Sequence, residues 1–369
     1  MPDVAAALAA GARFPLVRWA KPACPPLPER VAEVTAYADT ARREPTQSLD
    51  AAATALNLAA LIASDCGLSD LATELCRTHI DAYCAVDRPL TSVETLQLLG
   101  PVANLARLRL RAHDGDQAIT LLEGLLNAVR TRTDLIVDGR TLPLARVAAG
   151  GDDRRRMVQW AWMQLLTDGT KALALAGRWK AAARLAQTHK GIGNHLLEGR
   201  QVAIVASLLG GDADGARETL ARSVVSEPWE RQVAACLAAL CAPSGAEREA
   251  VNAMATEYRA RALTTEHADY RARLGVTIAA LARAANPELA DEVLRHAASE
   301  AATARDGYAA REVLRHPGIR SALGDMYRER LAHIVDGSGL VAGRLNGHTL
   351  ASLQQAATYA KESLVCSLA

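Results

Sequence analysis

The sequence predicts an all-α fold, a right-handed solenoid of helix–turn–helix pairs that carries two short hairpin insertions. Three observations lead there. Half of the 369 residues are apolar, but only 4% are aromatic and Phe14 is the sole phenylalanine, so the core is built from Ala, Leu and Val. Ala and Leu favour helix, whereas strands draw on aromatic and β-branched residues. Apolar residues also recur at the helical period: Leu68, Leu71 and Leu75; Ile119, Leu122, Leu126 and Val129; Val202, Val205 and Leu209. Finally, the short polar turns between these stripes share one pattern, which makes successive helices neighbours.

In chain order, residues 1–45 read as a proline-containing lead-in and a first helix, with Pro15, Pro22, Pro25, Pro26 and Pro28 favouring extended backbone and turns. The Ala-rich start carries Asp3 and no Lys or Arg before its apolar run, which does not fit a secretory signal. Residues 46–335 read as the helical-repeat solenoid. Its turns are Gly67 to Ala72, Gly177 to Ala182, Gly211 to Ala216 and Gly245 to Ala250, all Gly-x4-Ala. His113 to Ala118 and Ala285 to Ala290 keep the Ala and the turn chemistry without the leading Gly. In each, Gly ends a helix in the left-handed region, an Asp, Asn or Ser caps the next helix, and the small Ala lets the two approach.

An insertion at 131–151 interrupts the pattern. It holds Leu135-Ile-Val-Asp138-Gly139-Arg140-Thr-Leu142, a two-residue hairpin turning at Asp-Gly. Ile334-Val-Asp336-Gly337-Ser-Gly-Leu340 fits the same Ile-Val-Asp-Gly-x-x-Leu pattern and predicts a second hairpin. Shared turn chemistry accounts for the likeness, and the alternative is two insertions decorating one face. Residues 336–369 read as a glycine-rich loop and a C-terminal cap helix over Thr349–Leu364.

From Gly177 to Gly211 to Gly245 the turns are spaced by 34 and 34 residues. With Gly177-Arg-Trp179-Lys-Ala-Ala182, where an aromatic follows the Gly by two and an Ala by five, the chain resembles the tetratricopeptide repeat family, whose unit is a 34-residue helix–turn–helix. The resemblance spans roughly 48–302 in pattern and keeps the period over 160–260. It implies about six stacked pairs in one elongated domain, with the first helix of each pair lining a concave groove that takes a protein or peptide.

Charge and motifs narrow the function classes. Lys and Arg total 42 against 41 Asp and Glu, a net charge of +1, which removes the basic excess of a nucleic-acid binder. Arg107, Arg109 and Arg111, like Arg259, Arg261, Arg271 and Arg273, alternate around their helices and read as solvated surface. The seven cysteines form no CxxC pair, fit no zinc spacing and read as small buried hydrophobes in a reducing cytoplasm. No run reaches 18 uncharged apolar residues, so no membrane span is expected. Phosphate-loop, dinucleotide, HExxH and GxSxG signatures are missing, as is the third acid that would make Asp152-Asp153 a magnesium cluster, so no metal or cofactor is expected. Trp179 reads as core, and two of Trp160, Trp162 and Trp229 are expected to be buried.

The candidate groove residues lie nine or ten positions before the turn anchors: Asn57, Asn104, Asp168 and Gln201, polar residues on otherwise apolar helices. They read either as helix–helix hydrogen bonding, which buried polar groups require, or as a ladder for a peptide backbone or terminus with Lys171 and Arg200 adding positive charge. The leading expectation is a protein- or peptide-binding scaffold or regulator, using Asn57, Asn104, Asp168, Lys171 and Arg200. The alternative is an enzyme or accessory protein of a biosynthetic pathway, with a small-molecule site under the insertions and Asp138 and Arg140 among its groups. The end repeats also allow self-association.

Overall fold

A computed structural model of the chain describes residues 13–19, 22–260 and 267–369. Arg261 lies outside these residues, as does the Ala-rich start. The described chain is all-α apart from one two-stranded hairpin. It divides into two compact units, Pro26–Gly169 with Gly339–Ala369, and Met1–Pro25 with Thr170–Ser338.

The first unit runs α1 (Leu27–Arg43), α2 (Ser48–Asp65), α3 (Ser69–Cys84), α4 (Ser92–Arg111), α5 (Gly115–Thr131), β1 (Leu135–Val137), β2 (Arg140–Leu142) and α6 (Gly151–Gln164), which ends in a π turn at Leu165–Gly169. Each helix packs on the next, and α2 on α4 and α4 on α6 also touch. The C-terminal helix, Gly347–Leu368, belongs to this unit. It buries Leu353, Ala356, Ala360 and Leu364 and packs on α1, α2 and α3. Small Ala faces on both sides permit that close approach.

The second unit runs α7 (Thr170–Leu175), α8 (Trp179–Thr188), α9 (Glu198–Leu209), α10 (Ala213–Ala221), α11 (Pro228–Leu240), α12 (Glu247–Arg259), α13 (Ala268–Ala282), α14 (Pro287–Ala304), α15 (Gly307–Leu314), α16 (Ile319–Ala322) and α17 (Asp325–Gly337). Neighbours in sequence pack together from α7 to α15. So do the alternate helices α7 and α9, α9 and α11, α11 and α13, and α13 and α15.

The repeated turns show the expected glycine conformation, but a side-chain cap forms in only three of the six: the helices after Gly67, Gly177 and Gly245 start at Leu68, Arg178 and Ala246 with no side-chain cap. Gly67, Gly177, Gly211 and Gly245 take φ of 81°, 69°, 92° and 93°, and His113 stands in for glycine at 62°. Asp114, Asp212 and Asn286 accept hydrogen bonds from the backbone N–H three residues on, closing the next helix start. The anchors Ala72, Ala118, Ala182, Ala216 and Ala290 are fully buried, and Ala250 is half-buried.

The first hairpin forms with Leu135 opposite Leu142, Ile136 opposite Thr141 and Val137 opposite Arg140. Asp138 and Gly139 both have positive φ, as a two-residue turn of this hand requires. The second hairpin does not form. Ile334–Gly337 complete α17, and Ser338 returns its hydroxyl to the Ile334 carbonyl at 2.8 Å, as a helix end does. Gly339, Val341 and Gly343 then take positive φ, which no strand sustains. The N–H groups of Val341 and Gly343 instead donate to the carbonyls of Asp65 and Cys66 at 2.7 and 2.8 Å, capping the end of α2.

Trp179 is in the core, and Trp160, Trp162 and Trp229 are each half-buried. The cysteines are free, and five are buried. Burial pushes the thiols of Cys66 and Cys76 up to about 11 and about 12, which keeps them protonated and unreactive at neutral pH. Among the described residues, no helix is long and apolar enough to cross a membrane.

Candidate peptide-binding site

Three of the candidate residues meet in the first unit. The Asn104 amide on α4 donates to Asn57 Oδ1 on α2 at 2.7 Å. Arg107 extends the chain of contacts, donating to Asn104 Oδ1 at 3.1 Å, to Asp168 Oδ2 at 2.9 Å and to Gln164 Oε1 at 2.6 Å. The polar ladder thus runs from α2 across α4 to the π turn after α6, with Arg107 as its central rung. Arg109 and Arg111 are likewise paired, with Asp138 and Asp65, both at 2.9 Å. Among the described residues, no three His, Cys, Asp or Glu side chains converge as a metal site would need.

The insertion residues act as a brace. Asp138 receives Arg77 and Arg109, both at 2.9 Å, and Arg140 grips Asp81 with two nitrogens at 2.5 and 3.0 Å. Partial burial of Asp138 favours its neutral form, but the Arg77 hydrogen bond and the two guanidinium charges prevail and hold its carboxyl below the usual range. An acid–base catalyst at neutral pH needs the opposite shift.

Lys171 and Arg200 belong to the second unit, where Lys171 is exposed on α7. Arg200 donates to Ser223 Oγ at 3.0 Å and to the carbonyls of Gly193 and Thr219 at 3.1 and 2.8 Å. These bonds commit it to joining α9 with the end of α10 and the loop before α9.

Gln201, the fourth member of the sequence ladder, lies one residue on and is fully buried. Its Oε1 accepts from the Leu16 N–H at 2.7 Å, and its Nε2 donates to the Leu16 carbonyl at 2.8 Å and to the Leu196 carbonyl at 2.6 Å. One side-chain amide therefore holds both main-chain groups of a single residue in the N-terminal segment. Around it, Arg273 on α13 donates to the Pro15 carbonyl at 2.9 Å, and the Trp19 indole N–H donates to Glu198 on α9 at 2.5 Å. Arg13 pairs with Glu312 on α15 at 3.2 Å. Further on, the Cys24 N–H donates to Asp306 at 2.7 Å, and the Cys24 carbonyl accepts from the Gly307 N–H at 2.8 Å. Phe14, Leu16 and Val17 are 1%, 0% and 7% exposed, as buried as any core residue.

The surroundings hold Gln201 in place. Glu230 caps the start of α11 by accepting from the N–H groups of Ser226 and Glu227, both at 2.9 Å, and also receives the Leu196 N–H at 3.3 Å and His195 Nδ1 at 3.1 Å. Burial alone would raise the Glu230 pKa, yet these donors to the charged form keep it below the ordinary value. Gly199 passes directly under the Gly191 carbonyl, where any Cβ would collide. The loop over 189–197 can thus lie on the first turn of α9 and present Leu196 to Gln201.

Sequence periodicity locates Gln201 but not its partner. The signal for the partner is the short apolar run Phe14-Pro-Leu-Val17, unusual in a proline-containing lead-in. No family model, curated protein or solved structure matches the chain.

Proposed function

We propose that this chain is a peptide-binding module, a scaffold or regulator built from tetratricopeptide-like helix pairs, whose second unit holds an extended segment along α9, α13 and α15. The observation that carries this reading is the Gln201 amide closing on both the N–H and the carbonyl of Leu16. Recognition of extended peptides divides the work in this way: main-chain hydrogen bonds supply affinity whatever the sequence, and buried side chains supply selectivity. Contacts between alternate helices, from α7 through α15, support a solenoid with such a face. The ladder from Asn57 to Asp168 ties α2, α4 and the π turn together.

The test is selection from a random peptide library on a chain bearing a protease site between Pro22 and Ala23, folded and then cut. Enrichment of peptides by this chain, lost in its folded Gln201→Leu counterpart, is the expected result. Equal enrichment by both, or none by either, would defeat the proposal.

A further inference from the structure

We infer that the site accepts an extended segment of the pattern aromatic-Pro-Leu-aliphatic, and that Arg13–Trp19 is its resident occupant, which a partner bearing that pattern displaces. The inference rests on the peptide-binding reading and adds the class of ligand and the manner of its entry.

The polar contacts fix the direction and register of the backbone but do not read sequence at their centre. Arg273 takes the carbonyl of Pro15, and Gln201 takes both main-chain groups of Leu16. Sequence is read where side chains vanish from solvent, at Phe14, Leu16 and Val17. Arg18 and Trp19, in contrast, are exposed. The outer tethers are partly exposed: Arg13 to Glu312 is an ion pair that salt weakens, and Trp19 to Glu198 is a single hydrogen bond from an exposed indole. The centre is different. If the resident leaves, Gln201 keeps only the Leu196 carbonyl and its buried amide loses two of three partners. Gln201 is buried with the segment seated; in the vacated site water takes the place of Leu16, and an incoming main chain of the same register restores both bonds. Displacement is therefore an exchange of one segment for another.

The test uses the full chain carrying the protease site between Pro22 and Ala23, folded, cut, and checked for retained helicity. A fluorescent peptide with the sequence of residues 12–20 is titrated in, followed by anisotropy. The cut chain should bind it roughly a hundredfold more tightly than the intact chain, in which the tethered resident competes at high effective concentration. A peptide with Leu16→Asp should show no binding. If that peptide binds as well as the native one, and both depend on Gln201, the pattern is wrong while the peptide-binding reading stands. Equal binding by intact and cut chains removes the resident-occupant role. A cut chain that keeps its fragment and takes up no peptide of any sequence overturns both readings. If cutting unfolds the unit, hydrogen exchange on the intact chain decides. The Leu16 amide should exchange at least tenfold faster than the amides of Val202 and Val205, and equal protection would mean that the segment is permanent core.

Discussion

Replacing Gln201 by Leu keeps the side chain's bulk and deletes its amide, so the loss can be worked out bond by bond. Leu16 N–H loses its acceptor, and the carbonyls of Leu16 and Leu196 lose their donor, all three in a buried setting. At about 1 kcal/mol for each orphaned group, the cost is about 3 kcal/mol. The alternative route, ejecting the segment, would forfeit burial of Phe14, Leu16 and Val17 at about 1.5–3 kcal/mol each, so the strained but seated state is the cheaper one. For a unit of this size each kcal/mol lowers the melting temperature by about 2–4 °C, giving a fall of about 6–12 °C by calorimetry. Gln201→Glu should be worse at neutral pH, because a carboxylate would face the Leu16 and Leu196 carbonyls. Acidification should restore part of that loss by giving the side chain a donor. A Gln201→Leu melting point within about 2 °C of the native one would refute the clamp as a contributor to stability.

Other consequences follow from single sites. His79 is buried with no partner on either ring nitrogen, and burial pushes its pKa from 6.5 to about 3. Its folded form is neutral while the unfolded form takes a proton below about pH 6.5, so stability falls on acidification and the loss is about 2 kcal/mol by pH 5; His79→Leu should remove that part of the slope in urea titrations, and an unchanged slope would count against it. Glu94 is held near a pKa of about 2, chiefly by the Arg88 hydrogen bond and against burial. Its contribution is present above pH 4.5 and lost as pH falls toward 2, and Arg88→Ala should move its NMR titration midpoint upward. Asp138→Ala should free the hairpin from Arg77 and Arg109, cost about 1 kcal/mol because the pairs are partly exposed, and speed amide exchange in β1 and β2. Gly199→Ala should destabilise the second unit by more than about 2 kcal/mol in denaturant unfolding, since its Cβ would meet the Gly191 backbone.

Much of the local architecture was legible because it depends on short-range chemistry. A glycine in the left-handed region ends a helix wherever it falls, and Gly67, Gly177, Gly211 and Gly245 do so alike, although only the Gly211 turn adds a capping Asp. The Asp138–Gly139 hairpin closes because Leu135 and Leu142 can pair across it. The same four letters at Ile334–Gly337 meet a helix that has not yet ended, and glycines with positive φ follow, so context overrides the motif. The site was half legible. Helical spacing put Asn57, Asn104 and Asp168 at one level, and the structure joins them through Arg107. It could not show that Arg200 is committed to carbonyls near the end of α10, or that Gln201 reaches a segment 185 residues earlier. Such long-range pairing leaves no periodic trace in one sequence.

The most direct measurement of main-chain recognition changes a single atom of the ligand. A peptide spanning residues 12–20 can be made with the Leu16 N–H replaced by an ester oxygen, which deletes the donor to Gln201 Oε1 and leaves every side chain intact. Against the cut chain, this depsipeptide should bind at least about fivefold more weakly than the all-amide peptide, from the lost hydrogen bond to Gln201 and the weaker ester carbonyl offered to Arg273. Equal affinity for the two would mean that Gln201 does not grip the bound backbone, and would contradict the account.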